Sequence, residues 1–569
     1  MTRSGAQKAE FNEDVRQTPN TINIVNTTVP SPQATPSKKW LVLRQAALLT
    51  TIASGFSGLV YEVTWHKQLS AIVGSEARAT AIILAVFLGG LALGYELFGR
   101  LSRKISAKNN VRLLGYSELA IGVWALFFDD LFGAAFHAAR NLPITGTGAL
   151  LWEIIIGCCL MLFPTACMGG TLPLLTQGMS FDVKDAPQFH ARIYAVNTIG
   201  AFFGCIIAGF YLIPTNGLNL TLFIMSLVNL LVGLSLLLVS IKMPDAEATS
   251  LHENNSNSID KERSVNQLQA IKPSSQLRYF SIACLSGFYA ICLQTVLIRI
   301  TGLAAGSSEY AFSMIVALYI GMLALGAHSI SKQQVLTSKA LTDNQVILLI
   351  GAFLTYLSVP YWGYANHIIR IMYSNSKISF YAYFLSLFSA IGAITYLMLS
   401  RMGRTLPVLF GANTLNKNQL GKYVGTLYAT NTLGCVIGAL IGGYALLYYI
   451  NLDQIFKLSL LAIASTVAIS RFDRPMLPRL GGFMVLTIVI LALPEWDKKQ
   501  LGRGLFRESV EKTESYQGKE KFLTKFLSNN QLVAYKDAPN GTVAIYKTTF
   551  SRSAGDRSNT GSDKSSNSS

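Results

Sequence analysis

The sequence predicts an all-α, multi-pass membrane protein with two parallel six-helix repeats, one extra apolar segment and a small β-hairpin in its C-terminal tail. Composition, long apolar runs and an internal repeat predict this fold class. Of the 569 residues, 51% are hydrophobic and only 14% are charged, whereas about a quarter are charged in soluble domains. The net charge of +17 comes from basic residues in short loops between apolar runs. That placement is typical of helix orientation in a membrane and does not indicate nucleic-acid binding.

The predicted helices follow from apolar runs that can cross roughly 30 Å of hydrocarbon at about 1.5 Å per residue. Six runs lie in each repeat, and one more follows them. The runs are 41–60, 79–99, 113–128, 150–172, 193–213 and 218–241, then 279–298, 310–330, 344–362, 378–399, 424–447 and 452–470, and finally 476–494.

The repeat is visible residue by residue. Residues 54–94 align without a gap on residues 286–326, and 13 of the 41 pairs are identical. Two further blocks recur at an offset of 234 residues, MGGTLPLL as MGRTLPVL and YAVNTIG as YATNTLG. An even number of helices per copy gives both copies the same orientation. The copies should therefore be related by an axis along the membrane normal.

Basic loops orient the predicted helices. The loop after the second helix carries Arg100, Arg103 and Lys104, and such loops stay in the cytoplasm. The N-terminus is therefore expected in the cytoplasm of a cell whose inner membrane holds the protein. Thirteen crossings would place the tail outside, whereas its Lys498 and Lys499 favour the inside. The sequence leaves the side of the tail open.

These observations divide the chain into seven predicted regions. The predicted regions are a disordered cytoplasmic N-terminus 1–39, membrane repeat 1 at 40–243, a polar linker 244–277, membrane repeat 2 at 278–475, an extra membrane segment 476–495, a tail 496–550 and a disordered Ser-rich end 551–569.

Ionisable groups in apolar helices are the first candidates for function, because each disfavours insertion by about 2.5–3.5 kcal/mol. In the first repeat Glu62 and Lys67 are such residues, and the second repeat has Gln294 and Arg299 at the matching positions. An acceptor and a cation thus recur in both halves, which predicts two related sites on one cavity. The competing interpretation is that the two cations extend to the membrane surface and that Glu62 is merely paired.

Three further polar residues are candidates. Glu118 lies in the third apolar run and has no acidic counterpart in the second repeat. It would hold a cation or relay a proton. Asn197 and Asn431 occupy matching places in the two repeats, where an amide either lines the cavity or hydrogen-bonds a neighbouring helix. Pro173 and Pro407 are expected to break their helices.

Several signals of other chemistry are missing from the sequence. There is no GxxxxGK[ST] phosphate loop, no HExxH and no GxSxG. The seven cysteines lie in or beside apolar runs without metal-ligand spacing. We therefore predict no catalytic residue, no metal and no cofactor.

The segment SGFSGLVYEVTWHKQLSAIVGS, with FLGGLALG and the two duplicated blocks, resembles the membrane part of the bacterial fused transporter/spermidine-synthase-like family. The resemblance implies a major-facilitator-like membrane domain followed by an aminopropyltransferase domain. The tail piece NQLVAYKDAPNGTVAIYK is similar to the strands that open such a synthase domain. The glycine-rich loop and the aspartates that the resemblance would require do not follow it. The synthase part is thus expected to be truncated and the chain not to be an enzyme.

The predicted function is to bind or transport a small, cationic, polyamine-like solute through a cavity between the repeats, with the lipid bilayer as the surrounding partner. Two alternatives remain at this stage. One is a polyamine aminopropyltransferase. The other is a non-transporting membrane scaffold whose tail pairs with a separate synthase or another protein by strand addition.

Overall fold

The structure, a computed structural model, describes most of the chain. The described residues are 37–73, 76–141, 147–182, 185–244, 273–306, 308–331, 338–373, 379–411, 419–471, 475–507, 515–528, 530–539 and 541–548. The predicted N-terminal extension, polar linker and Ser-rich end lie outside these residues, apart from a few positions at their edges.

Long apolar helices form both halves of the protein. Those of the first half are α1 (Lys38–Val73), α2 (Glu76–Ser102), α3 (Ala107–Leu126), α4 (Phe128–Asn141), α5 (Thr147–Gly169), α6 (Thr171–Met179), α7 (Ala186–Ile207) and α8 (Ile213–Lys242), with a π-helical turn at Ala208–Leu212. Those of the second half are α9 (Pro273–Ala305), α10 (Glu309–Ile330), α11 (Ser338–Tyr373), α12 (Ser379–Gly411), α13 (Leu420–Ile437) and α14 (Leu452–Ser470), with a π-helical turn at Gly438–Gly442 and a 3₁₀ turn at Ala445–Tyr448.

The remaining elements follow the second half. They are the apolar helix α15 (Met476–Leu491), the short helices α16 (Lys498–Gly502) and α17 (Lys519–Ser528), a 3₁₀ turn at Leu505–Arg507, and the strands β1 (Asn530–Ala538) and β2 (Gly541–Thr548). The strands pair antiparallel, with Ala538 opposite Gly541 and a bulge between Leu532 and Ala534. The predicted hairpin is therefore present.

The helix count agrees with six crossings per half. In the described part of the chain, ten helices are long and apolar enough to cross a membrane, or eleven if the bent pair α3–α4 is one crossing. One of the ten, Ala186–Lys242, has 57 residues, about 86 Å at 1.5 Å per residue. It turns at Gly217, where φ is 73°, a conformation that glycine adopts readily, so it makes two crossings. The protein is an all-α, multi-pass membrane protein.

Two proline predictions have different outcomes. The helix is interrupted only at Gly170, between α5 and α6 and three residues before Pro173, and the two helices continue as one candidate span, Leu151–Met179. Pro407, by contrast, lies inside the continuous helix α12, so the expected break in the second half is wrong.

The helix α4 is not among the predicted helices. It is bent by 54° from α3, and its first turn carries Asp129 and Asp130 in place of a long apolar run.

The two halves repeat the same close helix contacts. A Cβ on Gly55 of α1 would overlap the backbone carbonyl of Asn197 in α7, and a Cβ on Gly287 of α9 would overlap that of Asn431 in α13. These residues are partners in the sequence repeat, so the duplicated segments pack identically. Contacts between halves are paired as well, because α2 packs on α13 and α10 packs on α7. The predicted pair of parallel six-helix repeats is confirmed.

The course of the chain gives the protein two ends. We call the end at which α1 begins the N-terminal side and the other end the far side. α9 and α11 end on the far side, α14 begins there, and α15 returns the chain to it. The tail packs at this end: the Trp496 indole donates to the carbonyl of Tyr356 at 3.1 Å, and Tyr356 donates to the carbonyl of Pro494 at 2.7 Å. The tail therefore lies at the end opposite the start of α1.

Candidate functional site

One face of α1 is turned toward the second half. Gly58, Glu62 and His66 follow one another at one-turn spacing, and each is half-buried. The His66 ring stacks on Phe312 of α10, with 5.9 Å between ring centroids. A Cβ on Gly58 would meet no atom within 4 Å, so there is open space beside this face.

Glu62 is central on that face. The carboxylate lies near Cys205 of α7, whose thiol lies 3.5 Å from the carbonyl oxygen of Ser313 in the second half. Within the described residues Glu62 has neither a hydrogen bond nor an ion pair. A half-buried carboxylate at the boundary of two bundles, with no hydrogen bond or ion pair among the described residues, is suited to bind a cation.

The matching face of α9 carries Gln294. Its neighbours one turn away are Ala290 and Ile298, which correspond to Gly58 and His66 in the repeat. Ile298 packs against apolar clusters of both halves, which places this face at the same boundary. Gln294 is half-buried. The structure thus puts the predicted acceptors on equivalent faces of α1 and α9.

The two predicted cations lie toward the far-side ends of their helices. Lys67 is half-buried near the end of α1. Arg299 of α9 donates from Nη1 to the carbonyl of Ala538 at 2.6 Å and from Nη2 to the carbonyl of Pro539. The cation of the second half is therefore held by the turn of the tail hairpin.

Glu118 lies away from this boundary, inside the first half. It is only 1% exposed. Ser54 of α1 and Asn229 of α8 each donate a hydrogen bond of 2.6 Å to one of its two carboxylate oxygens. Glu118 thus links three helices of one bundle.

The two predicted asparagines lie where α1 meets α7 and where α9 meets α13. Asn431 donates to the carbonyl of Ala283 at 3.0 Å and to the Ser286 hydroxyl at 2.9 Å. Asn197 lies against Gly55 of α1. Both side chains are half-buried, so each contributes to the contact between an innermost helix and its neighbour.

Sequence reasoning missed the polar contacts that join the halves on the N-terminal side. His190 of α7 is fully buried, and its Nε2 lies 3.1 Å from the Tyr428 hydroxyl of α13. Nearby, the backbone N–H of Gly421 donates to the Gln177 side chain at 2.8 Å. These bonds close the boundary at that end.

A tyrosine pair marks the pseudo-twofold axis. Tyr194 and Tyr428 occupy the same place in the two repeats, and their ring centroids are 5.8 Å apart. Twin residues meet in this way only beside the axis that relates the copies. The signal was available in the sequence, because both tyrosines open the duplicated blocks YAVNTIG and YATNTLG.

The hairpin of the tail, outside the membrane, contains a buried carboxylate and two tyrosines whose pKa values are raised. Asp537 is 2% exposed and accepts hydrogen bonds from Tyr535 at 3.0 Å and Thr542 at 2.6 Å. Burial, and then the negative charge of Asp537, raise the pKa of the Tyr535 hydroxyl above its ordinary value. Burial also raises the pKa of Tyr546 to about 12.

Comparisons with known proteins find similar solved structures but no matching family model or curated protein. Among solved structures the chain is similar to the E. coli fucose:proton symporter, at 14% identity over 77% of this chain and 100% of that one, with a TM-score of 0.45. It is also similar to a bacterial homologue of the iron transporter ferroportin in an outward-facing state, at 12% identity over 75% and 98% of the chains, with a TM-score of 0.46.

A third similar structure is the major facilitator superfamily proton:xylose symporter, at 13% identity over 77% of this chain and 96% of that one, with a TM-score of 0.46. The class that the described fold itself defines is a two-half, multi-pass membrane protein. The fused spermidine-synthase-like resemblance stays a prediction.

Proposed function

We propose that this protein moves a small solute across the membrane by rocking its two halves about the boundary between them. The paired helix contacts and the tyrosine pair support this, because two equivalent bundles joined at an axis can tilt in either direction. The strongest support is the position of the Glu62 carboxylate, half-buried at the boundary between the halves. Ionisable residues within membrane helices mark solute and ion pathways, and Glu62 has no hydrogen bond or ion pair among the described residues.

The route runs past the α1 and α9 faces. Glu62 and Gln294 line it, and Lys67 and Arg299 lie at its far-side entrance. Glu118, Asn197 and Asn431 support the walls through their bonds to neighbouring helices. In this structure the route is closed at the N-terminal side by the contacts of His190 and Gln177. These bonds must break before a solute can leave there.

A polyamine-like cation is the solute that we propose. The Glu62 carboxylate favours a positive charge, and the amide of Gln294 supplies a second hydrogen-bonding group on the opposite wall. The resemblance of the membrane segments to the fused transporter/spermidine-synthase-like family supports the same choice. The N-terminal side is the proposed cytoplasmic side, and the cell inner membrane is the proposed location.

The position of the tail weighs against the two alternative functions. The tail packs on the far side, so with a cytoplasmic N-terminus it lies away from cytosolic cofactors and cytosolic synthases. Transport is therefore favoured over aminopropyl transfer and over a scaffold role.

The test is uptake of labelled spermidine by proteoliposomes. Glu62→Gln should raise KM by about tenfold or more, since a lost charge-assisted contact weakens binding by about 1.5–3 kcal/mol. Asp130→Asn is the matched control, because it removes one negative charge at an exposed position. Uptake that is the same in wild type, Glu62→Gln and empty liposomes would refute the proposal.

A further inference from the structure

The hairpin of the tail places a buried carboxylate at the far-side end of the second half. Asp537 accepts, through Oδ2, the backbone N–H of Leu452 at 3.1 Å. Leu452 is the first residue of α14, and the N-terminus of a helix carries partial positive charge that favours an anion. Asp537 therefore fixes the hairpin to the membrane domain.

The turn of the hairpin, directly after Asp537, also binds Arg299. The two carbonyl groups that bind its guanidinium belong to the residues directly after Asp537. The charge of Asp537 also acts on Arg299. Docking of the hairpin thus brings the Asp537 carboxylate and two carbonyl dipoles close to Arg299 at the far-side entrance.

Other contacts hold the tail on the second half, so this arrangement does not rest on the hairpin alone. Arg370 near the end of α11 donates to the carbonyl of Phe506 at 2.6 Å. His367, one turn earlier, lies 3.0 Å from the Ser515 hydroxyl. The tail is anchored at several points along α9, α11 and α14.

Charge at the entrance matters for a cationic solute. Lys67 and Arg299 would both repel a polyamine, and the interaction of two charges in a partly buried site is several times stronger than in water. The carboxylate of Asp537 offsets one of these two cations. Asp537 lies in the tail that follows the second half, so this offset acts on Arg299.

We propose that Asp537 is a specificity-determining residue: through the docked tail it brings a negative charge near Arg299 and thereby favours cationic over anionic solutes at the far-side entrance. This inference rests on the proposed route between the halves. It adds a tail residue, more than 200 positions away in sequence, to the determinants of solute charge.

The experiment measures the potential at the entrance without requiring transport. A thiol is introduced by Gln294→Cys, and its reaction with a cationic and an anionic methanethiosulfonate reagent is followed by mass spectrometry at residue 294. In this background Asp537→Asn should lower the ratio of cationic to anionic reaction rates by about tenfold, the order of magnitude expected for one charge near a partly buried site. Adding Arg299→Gln to Asp537→Asn should restore the ratio.

Two further measurements complete the test. Glu520→Gln removes one exposed negative charge from the same tail and should leave the ratio unchanged. Protease sensitivity of the tail in Asp537→Asn shows whether the hairpin is still docked, and a released tail should give the same lowered ratio. An unchanged ratio in Asp537→Asn, or a thiol that reacts with neither reagent, would overturn the inference.

Spermidine uptake separates this inference from the proposed function. If the wild type transports spermidine and Asp537→Asn has the same KM, the inference fails while the transport proposal stands. If the wild type does not transport spermidine but the reagent ratio changes as expected, the transport proposal fails while the charge role of Asp537 stands.

Discussion

The two halves keep the same packing but differ in their polar chemistry. Gly55 and Gly287 touch the backbones of equivalent helices, whereas the Ser54 and Ser286 hydroxyls bond different partners. Ser54 donates to the Glu118 carboxylate, and Ser286 accepts from the Asn431 amide. Backbone contacts between helices tolerate almost no change of shape, while a hydroxyl can serve a new partner. Duplication thus preserved the fold and left the polar sites free to diverge.

The glycine contacts should show the largest effect of any single change. Gly55→Ala puts a methyl group into the Asn197 carbonyl, and the helices must separate, so we expect a loss of stability of about 3 kcal/mol. Gly58→Ala, one turn away, meets open space and should be neutral or slightly stabilising because alanine favours a helix. Thermal unfolding in detergent measures both.

Gly287 offers the equivalent test in the second half. Gly287→Ala should destabilise by as much as Gly55→Ala, since its added methyl group meets the equivalent carbonyl of Asn431. A neutral Gly287→Ala beside a destabilising Gly55→Ala would show that the halves pack differently.

Glu118 should show the next largest effect, and only the first half has this feature. Glu118→Leu leaves the Ser54 and Asn229 donors buried without an acceptor, which should lower stability by about 2–3 kcal/mol. Glu118→Gln keeps an acceptor and should lower it by about 1 kcal/mol. Unfolding by SDS is a suitable measurement, with the exposed Asp130→Asn as a control within about 0.5 kcal/mol. A Glu118→Leu protein as stable as the wild type would contradict the assigned role.

The tail, which follows the second half, should show a smaller and pH-dependent effect. The docked tail raises the pKa of Tyr535, so docking favours the neutral hydroxyl. That contribution is complete below the ordinary tyrosine pKa of about 10 and is lost as pH rises through the raised value. Docking should therefore weaken at alkaline pH, with cleavage of the tail by subtilisin several-fold faster at about pH 11 than at about pH 9.

Tyr535→Phe removes the titrating group and should reduce this pH dependence. Some dependence should remain, because the pKa of Tyr546 is also raised, to about 12. Tyr516→Phe changes a tyrosine that is 58% exposed and should behave like the wild type. Equal pH profiles for the wild type and Tyr535→Phe would rule out this explanation.

Much of the fold could be predicted because apolar length and sequence repetition each have a direct structural meaning. The repeat also identified Glu62 and Gln294 as matched positions, and the structure places both on the faces between the halves. Helix α4 escaped prediction because Asp129, Asp130 and Arg140 interrupt its apolar pattern. Pro407 did not end α12, which shows that surrounding helices can hold a proline within a membrane segment.

The contacts of Arg299 could not be predicted from sequence. Its partners are backbone carbonyls 239 and 240 residues away, and a carbonyl leaves no trace in the residue type. His190 is similar, since a single histidine in an apolar helix does not indicate that its partner is a tyrosine of the other half. Long-range polar pairs of this kind follow from the assembled bundle.

The short helix α15 affects the lipid around the protein. Its 16 residues span about 24 Å, less than the roughly 30 Å hydrocarbon thickness of a typical bilayer. It packs on α14, and its outer side chains, including Met484, Val485 and Ile488, are exposed. A span this short is accommodated by local thinning of the bilayer or by flanking side chains that reach the surface, so hydrophobic mismatch lies along one flank of the protein and favours its residence in thinner membranes.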